Sequence, residues 1–121
     1  RKGGIVRRVD AISKTLPGMN KRHKNAFTVL HCWNLTDYDK VVFIDADILM
    51  LRPMNNLFGL KAFAAARLVN RKGKTFNTFN SGLMVLEPSR ESFLNLLKLT
   101  ETEYHVYSKK YPKGWAVQAF L

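Results

Sequence analysis

The chain has 121 residues, 46% of them hydrophobic, and carries 20 Lys and Arg against 9 Asp and Glu, a formal net charge of +11. That length holds one domain, and that apolar fraction excludes a disordered, collagen-like or low-complexity chain. No apolar run approaches the ~20 residues of a membrane helix, and the single cysteine, Cys32, excludes a disulfide framework or a cysteine-rich zinc site.

Residues 5–11 read as a short strand, and residues 13–25 as a loop punctuated by Leu16-Pro17-Gly18. Residues 27–35 read as a helix in which Phe27, Leu30, His31, Asn34 and Leu35 share one face at i, i+3, i+4 spacing; residues 36–39 end it. Val41–Ile44 is apolar throughout and rich in β-branched residues, the pattern of a strand buried on both faces. Residues 48–51 form a second such run, stopped by Arg52-Pro53. Asn55–Gly59 reads as one helical turn closed by its glycine.

Residues 63–69 form a strand diluted by three alanines, and residues 70–74 a basic turn around Gly73. Residues 83–86 are another buried strand. Ser89 then caps a helix with Glu91 in its first turn and Phe93, Leu96, Leu97 and Thr100 on its inner face. Residues 104–111 read as irregular and residues 115–121 as a last helix. Strands alternating with helices make the class α/β. The strands at 41–44 and 83–86 are expected in one central sheet flanked by the helices at 27–35 and 92–100.

The charge is clustered. Eight basic groups stand in the first 25 residues against Asp10 alone. A second cluster is Arg67, Arg71, Lys72 and Lys74, and a third Lys109, Lys110 and Lys113. Such a field attracts polyanions, and it equally describes a solvated basic surface. No aromatic interleaving of a stacking platform stands near the clusters, and no nucleic-acid-binding signature is present, so no nucleic-acid partner is expected.

Chemistry concentrates in Val42-Phe43-Ile44-Asp45-Ala46-Asp47-Ile48-Leu49. Two carboxylates at i and i+2 follow an apolar strand. In an extended segment both would point to one side, with the small Ala46 leaving room between them. Two such carboxylates repel unless a cation or proton lies between them. Mg²⁺ or Mn²⁺, hard ions with oxygen ligands, suit the pair Asp45 and Asp47. The plainer alternative is a polar turn between two strands. The second feature is Phe79-Asn80-Ser81-Gly82-Leu83-Met84-Val85, just before a buried strand. Asn80 offers donors and acceptors, Ser81 a hydroxyl, and Gly82 close backbone approach. A structural strand-entry turn is the alternative here.

The run His31-Cys32-Trp33-Asn34-Leu35-Thr36, then Tyr38, then Val41 to Asp47, then Leu57-Phe58, resembles the family 8 glycosyltransferases, most of all the glycogenin-like enzymes and the plant xylan glucuronosyltransferases. Residues 79–89 resemble the same family's second block, in the right order, and the resemblance runs from about Gly4 to Leu121. It implies that residues 1–121 are part of a catalytic domain of Rossmann-like, GT-A type, with a mixed central sheet.

It implies a UDP-sugar donor, UDP-glucose first, a glycan or protein hydroxyl as acceptor, Mn²⁺ (or Mg²⁺), and retention of anomeric configuration. By the same resemblance Asp45 and Asp47 hold the metal, and Asp45, Ala46, Asn80, Ser81 and Gly82 bind substrate. A cytoplasmic location is implied, or the Golgi lumen for the plant type, and a homodimer is compatible with it.

The family's Asp-Gln-Gly block maps onto Val117-Gln118-Ala119. Gln118 is the catalytic candidate, while Val117 replaces a carboxylate; Val29 likewise stands where glycogenins place a Lys. The first nucleotide-binding strand is expected before Arg1 and a third metal ligand, a His, after Leu121, so the chain reads as a fragment. His31 is expected to be a packed helix residue and His105 a surface one. The competing readings are a degenerate copy that keeps the fold without activity, and a basic polyanion-binding module.

Overall fold

The computed structural model describes residues 3–14, 23–70 and 72–102. The expected elements at 104–111 and 115–121, together with Gln118 and His105, lie outside the described residues. Three strands, β1 (Val41–Ile44), β2 (Ala64–Val69) and β3 (Thr75–Leu86), form one sheet in the order β1-β3-β2. A 3-10 helix at Ala26–Asn34 precedes β1, a shorter one at Asn55–Gly59 follows it, and the helix α1 (Arg90–Thr102) follows β3.

Both strand pairings are antiparallel. The turn at residues 70–74 accounts for one of them. Gly73 takes φ +78, a left-handed value that glycine adopts without a steric penalty. The Asn70 side-chain oxygen accepts the backbone N–H groups of Lys72 and Lys74, each at 2.9 Å. A turn this short can only return the chain as a hairpin. The α/β composition therefore stands, while the described sheet contains no parallel pair. The segments at 41–44 and 83–86 lie in one sheet, as expected, and pair directly, from Val41 opposite Leu86 to Ile44 opposite Leu83.

The main buried cluster lies on one face of this sheet, while Val85, between Met84 and Leu86 in β3, is buried on the other. Phe27, Leu30, Trp33, Met84, Leu86 and Phe93 form a single buried cluster, with Val41 and Phe43 packed against it. Both the longer 3-10 helix and α1 thus cover the same face, and the expectation that they flank the sheet is corrected to one-sided cover. Val42 and Ile44 point the other way, into an open groove of about 500 Å³ shared with Met50 and Phe58. Strand β1 is half-buried along its whole length, not buried on both faces.

The helix at 27–35 also differs from its expected form. It is a 3-10 helix, and its buried residues are Phe27, Leu30 and Trp33. With three residues per turn, side chains at i and i+3 eclipse. A period of three therefore replaces the i, i+3, i+4 face, and Trp33 takes the place assigned to His31 and Asn34. The Trp33 ring stacks on Phe63 at 6.0 Å between centroids, and Phe63 meets Phe79 edge-on at 5.5 Å.

The end of this helix docks on the start of α1. The Trp33 carbonyl accepts the Ser89 N–H at 2.9 Å, and Arg90 donates to the Asn34 side chain at 2.7 Å. Ser89 Oγ accepts the Ser92 N–H at 3.2 Å, which makes Ser89 the N-cap. Phe93 and Thr100 are buried, and Leu96 and Leu97 pack on the cluster, so the inner face of α1 is the expected one.

Two expected strands are absent. Residues 5–11 are irregular and exposed, and residues 48–51 are irregular with Leu49 and Leu51 largely exposed. Neither segment finds a strand partner among the described residues, and an apolar run without one has nowhere to send its backbone hydrogen bonds. The first is held instead by Arg7, which pairs with Asp37 at 2.7 Å and lies 5.3 Å from the centre of the Tyr38 ring. Among the described residues no helix is long and apolar enough to cross a membrane.

Candidate functional site

Strand β1 ends at Ile44, but its ladder continues by one bond. The Asp45 N–H donates to the Gly82 carbonyl at 2.8 Å. The Ile48 N–H then donates to the Asp45 carbonyl at 3.1 Å, closing a four-residue turn with aspartate in the first position. The segment is thus turned, not extended, and it is the turn that sets Asp45 and Asp47 near each other. Both are exposed, with Ala46 between them. The Asp45 carboxyl is held above the usual carboxylate range, first by its partial removal from water and then by the negative charge of Asp47.

Strand β3 starts at Thr75, so Asn80, Ser81 and Gly82 lie inside it instead of before it. Opposite β2 its register breaks at this point. Ala65 faces Met84, but the next residue, Ala66, faces Asn80. Residues 81–83 bulge out of the β2 pairing and serve the end of β1, where Leu83 still pairs with Ile44. Bulges of this kind redirect side chains beside functional sites.

Within the bulge the Asn80 Oδ1 accepts the Gly82 N–H at 2.8 Å. Gly82 is buried, and a Cβ there would lie 3.0 Å from Asn80 Oδ1, 3.1 Å from Asp45 Oδ2 and 3.4 Å from Ile48 Cδ1. A side chain here would push these neighbours aside by a few tenths of an ångström, and the two polar side chains converge over the glycine.

The structure therefore brings together Asp45, Asp47, Asn80 and Gly82, with Ser81 half-buried beside them. The sequence reading missed Ile48, which closes the turn and packs over Gly82. Its signal was the aspartate three residues earlier, a favoured turn opener.

The donors here are hard oxygens, a set that fits Mg²⁺ or Mn²⁺. Among the described residues no group of three or more His, Cys, Asp and Glu side chains stands together. His31 is occupied elsewhere, as expected of a packed residue. Its Nε2–H donates to the Asp10 carbonyl at 3.0 Å and its ring lies 5.3 Å from Phe93.

No family model matches the chain. It is 36% identical over 95 residues to UDP-glucuronate:xylan alpha-glucuronosyltransferase 2 of Arabidopsis thaliana, a match covering 78% of this chain and 15% of that protein. It is 42% identical over 76 residues to glycogenin-1 of Caenorhabditis elegans, covering 63% of this chain and 17% of the relative. Against glycogenin-1 of Homo sapiens the identity is 41% over 76 residues, with 63% and 21% covered. The chain thus spans less than a quarter of the length of these curated relatives. It is homologous to one stretch of the glycogenins and the plant xylan glucuronosyltransferases.

Proposed function

We propose that this chain carries the donor-diphosphate side of a family 8 transferase site of GT-A, Rossmann-like type, which moves a sugar from a UDP-sugar to a hydroxyl acceptor with retention. UDP-glucose is the first candidate donor and UDP-glucuronate the second. Asp45 and Asp47 would hold Mn²⁺ or Mg²⁺. When bound, that cation supplies positive charge against the diphosphate that leaves with the nucleoside.

The residues of the chain have distinct tasks. The Asp45–Gly82 backbone bond fixes the carboxylate turn against the bulge. Because Asn80 Oδ1 is engaged by the Gly82 N–H, the two N–H donors of its amide remain for a sugar hydroxyl. The absence of a side chain at Gly82 lets Asp45 and Asn80 approach each other. Ser81 adds a hydroxyl beside them. Gln118 keeps its proposed catalytic role on the family resemblance alone.

The observation that carries this reading is the meeting of the Asp-x-Asp turn with the Asn-Ser-Gly bulge. Calorimetric titration with UDP, with and without Mn²⁺, tests it on the native chain and on Asp47→Ala. We expect Mn²⁺-dependent binding that the substitution removes. Equal affinity in both proteins would sink the assignment.

A further inference from the structure

Between Asp47 and Glu87 the chain contains no acidic residue, but it contains Arg52, Lys61, Arg67, Arg71, Lys72 and Lys74. Arg67, Lys72 and Lys74 belong to the β2–β3 hairpin, all three are exposed, and none has an ion-pair partner among the described residues. Beside Arg67 lies a groove of about 590 Å³ that it shares with Thr75, Phe76, Thr78 and Phe79, within the range of small-ligand clefts. The hairpin folds Phe76 and Phe79 alongside Arg67, and Phe79 faces Arg67 directly in the strand register.

We propose that this hairpin groove binds an acidic glycan, the acceptor side of the transfer proposed above; its role as acceptor rests on that reading. Each part of the groove matches a part of such a ligand. The Arg67 guanidinium presents a planar fork to a uronate carboxylate. The exposed Thr75 hydroxyl can exchange hydrogen bonds with ring hydroxyls. The partial ring surface of Phe76 and Phe79 offers an apolar wall to sugar C–H groups.

Lys72 and Lys74 at the hairpin tip extend the field along a polymer. The Phe79 ring is half-buried and already engaged by Phe63, so the groove offers less open stacking face than a nucleic-acid platform uses. Position ties the groove to the candidate site, because Phe79 directly precedes Asn80 and Arg67 directly follows Ala66, the strand partner of Asn80.

The test titrates the full chain with a hexameric oligogalacturonate, a neutral maltohexaose, and a single-stranded oligonucleotide of matched charge, at physiological salt. The variants are Arg67→Glu and, as a control with the same charge change elsewhere, Arg8→Glu. We expect the uronate to bind best, and Arg67→Glu to weaken it about tenfold or more while Arg8→Glu does not. Equal loss in both variants would overturn the proposal, because it would assign binding to net charge alone. Equal binding of the neutral sugar, or tighter binding of the oligonucleotide, would overturn it too. Mn²⁺-dependent UDP binding, measured on the same samples, is expected to be unchanged in Arg67→Glu. Its absence from every sample, with uronate binding retained, would remove the transfer reading and leave the glycan surface standing.

Discussion

The Asp45 N–H and the Gly82 carbonyl meet at 2.8 Å, and through that bond two distant sequence blocks become one site. The bond places the carboxylate turn over a backbone that has no side chain, so Asp45 Oδ2 and Asn80 Oδ1 can both lie close to the Gly82 Cα.

Gly82→Ala therefore separates function from stability. The added methyl would sit 3.0 and 3.1 Å from two side-chain oxygens. Both belong to side chains that can swing aside, so the fold should survive with a small fall in thermal midpoint. The convergence of Asp45 and Asn80 should not survive. Calorimetry is expected to show Mn²⁺–UDP affinity lowered about tenfold, equivalent to ~1.4 kcal/mol. Unchanged affinity would mean that the two side chains need not meet.

Ser89→Ala tests the start of α1. It removes the acceptor for the Ser92 N–H and should cost about 1 kcal/mol in urea denaturation. Ser89→Asp restores an acceptor and should recover most of that loss. By contrast Leu30→Ala, at a fully buried position, should cost ~2–5 kcal/mol.

These two positions show what the sequence could and could not reveal. A cap is a local signal, a hydroxyl just ahead of an amphipathic run, and Ser89 was legible for that reason. The register of the preceding helix was not. Periods of 3.0 and 3.6 diverge only after a second turn, and Trp33 is drawn inward by Phe63, which comes from beyond β1. The residue types of the site were legible in the same way as the cap, since two carboxylates and an Asn-Ser-Gly run announce oxygen chemistry. The slip from Ala65–Met84 to Ala66–Asn80 was not, because it is a relation between strands. The run at 48–51 misled because apolar character does not supply a strand partner.

Cys32 supplies a pH-dependent prediction. Burial pushes its thiol up to about 11 from an ordinary value of 9.0. Well below pH 9 the thiol is protonated in both folded and unfolded chains and has no effect on stability. As pH rises toward 11 the unfolded chain ionises first, so stability falls across that window. Iodoacetamide labelling at pH 8 should accordingly be slow in the native chain and should reach the free-thiol rate in denaturant. Replacement by Ser should remove the alkaline loss.

The carboxylate pair gives the sharpest contrast. Asp45 and Asp47 share one turn, and without a cation each ionised group opposes the other. Asp45→Asn removes that repulsion while keeping the size of the side chain and the backbone bond to Gly82. In the presence of chelator its thermal midpoint should therefore equal or exceed that of the native chain. With Mn²⁺ the order should reverse. A ligand that binds only the folded state adds RT ln(1 + [L]/Kd), about 2.7 kcal/mol at a hundredfold excess over Kd. The native chain should gain that stabilisation, and Asp45→Asn should lose most of it. Calorimetric melts of both proteins, with EDTA and across a Mn²⁺ series, measure the crossing. A purely structural role for the turn predicts parallel curves, because a pair with no affinity for the cation would leave the midpoint of either protein indifferent to Mn²⁺. A purely electrostatic surface effect predicts equal shifts in both proteins, since the substitution changes the net charge by only one. Only a site that uses both carboxylates makes the curves cross.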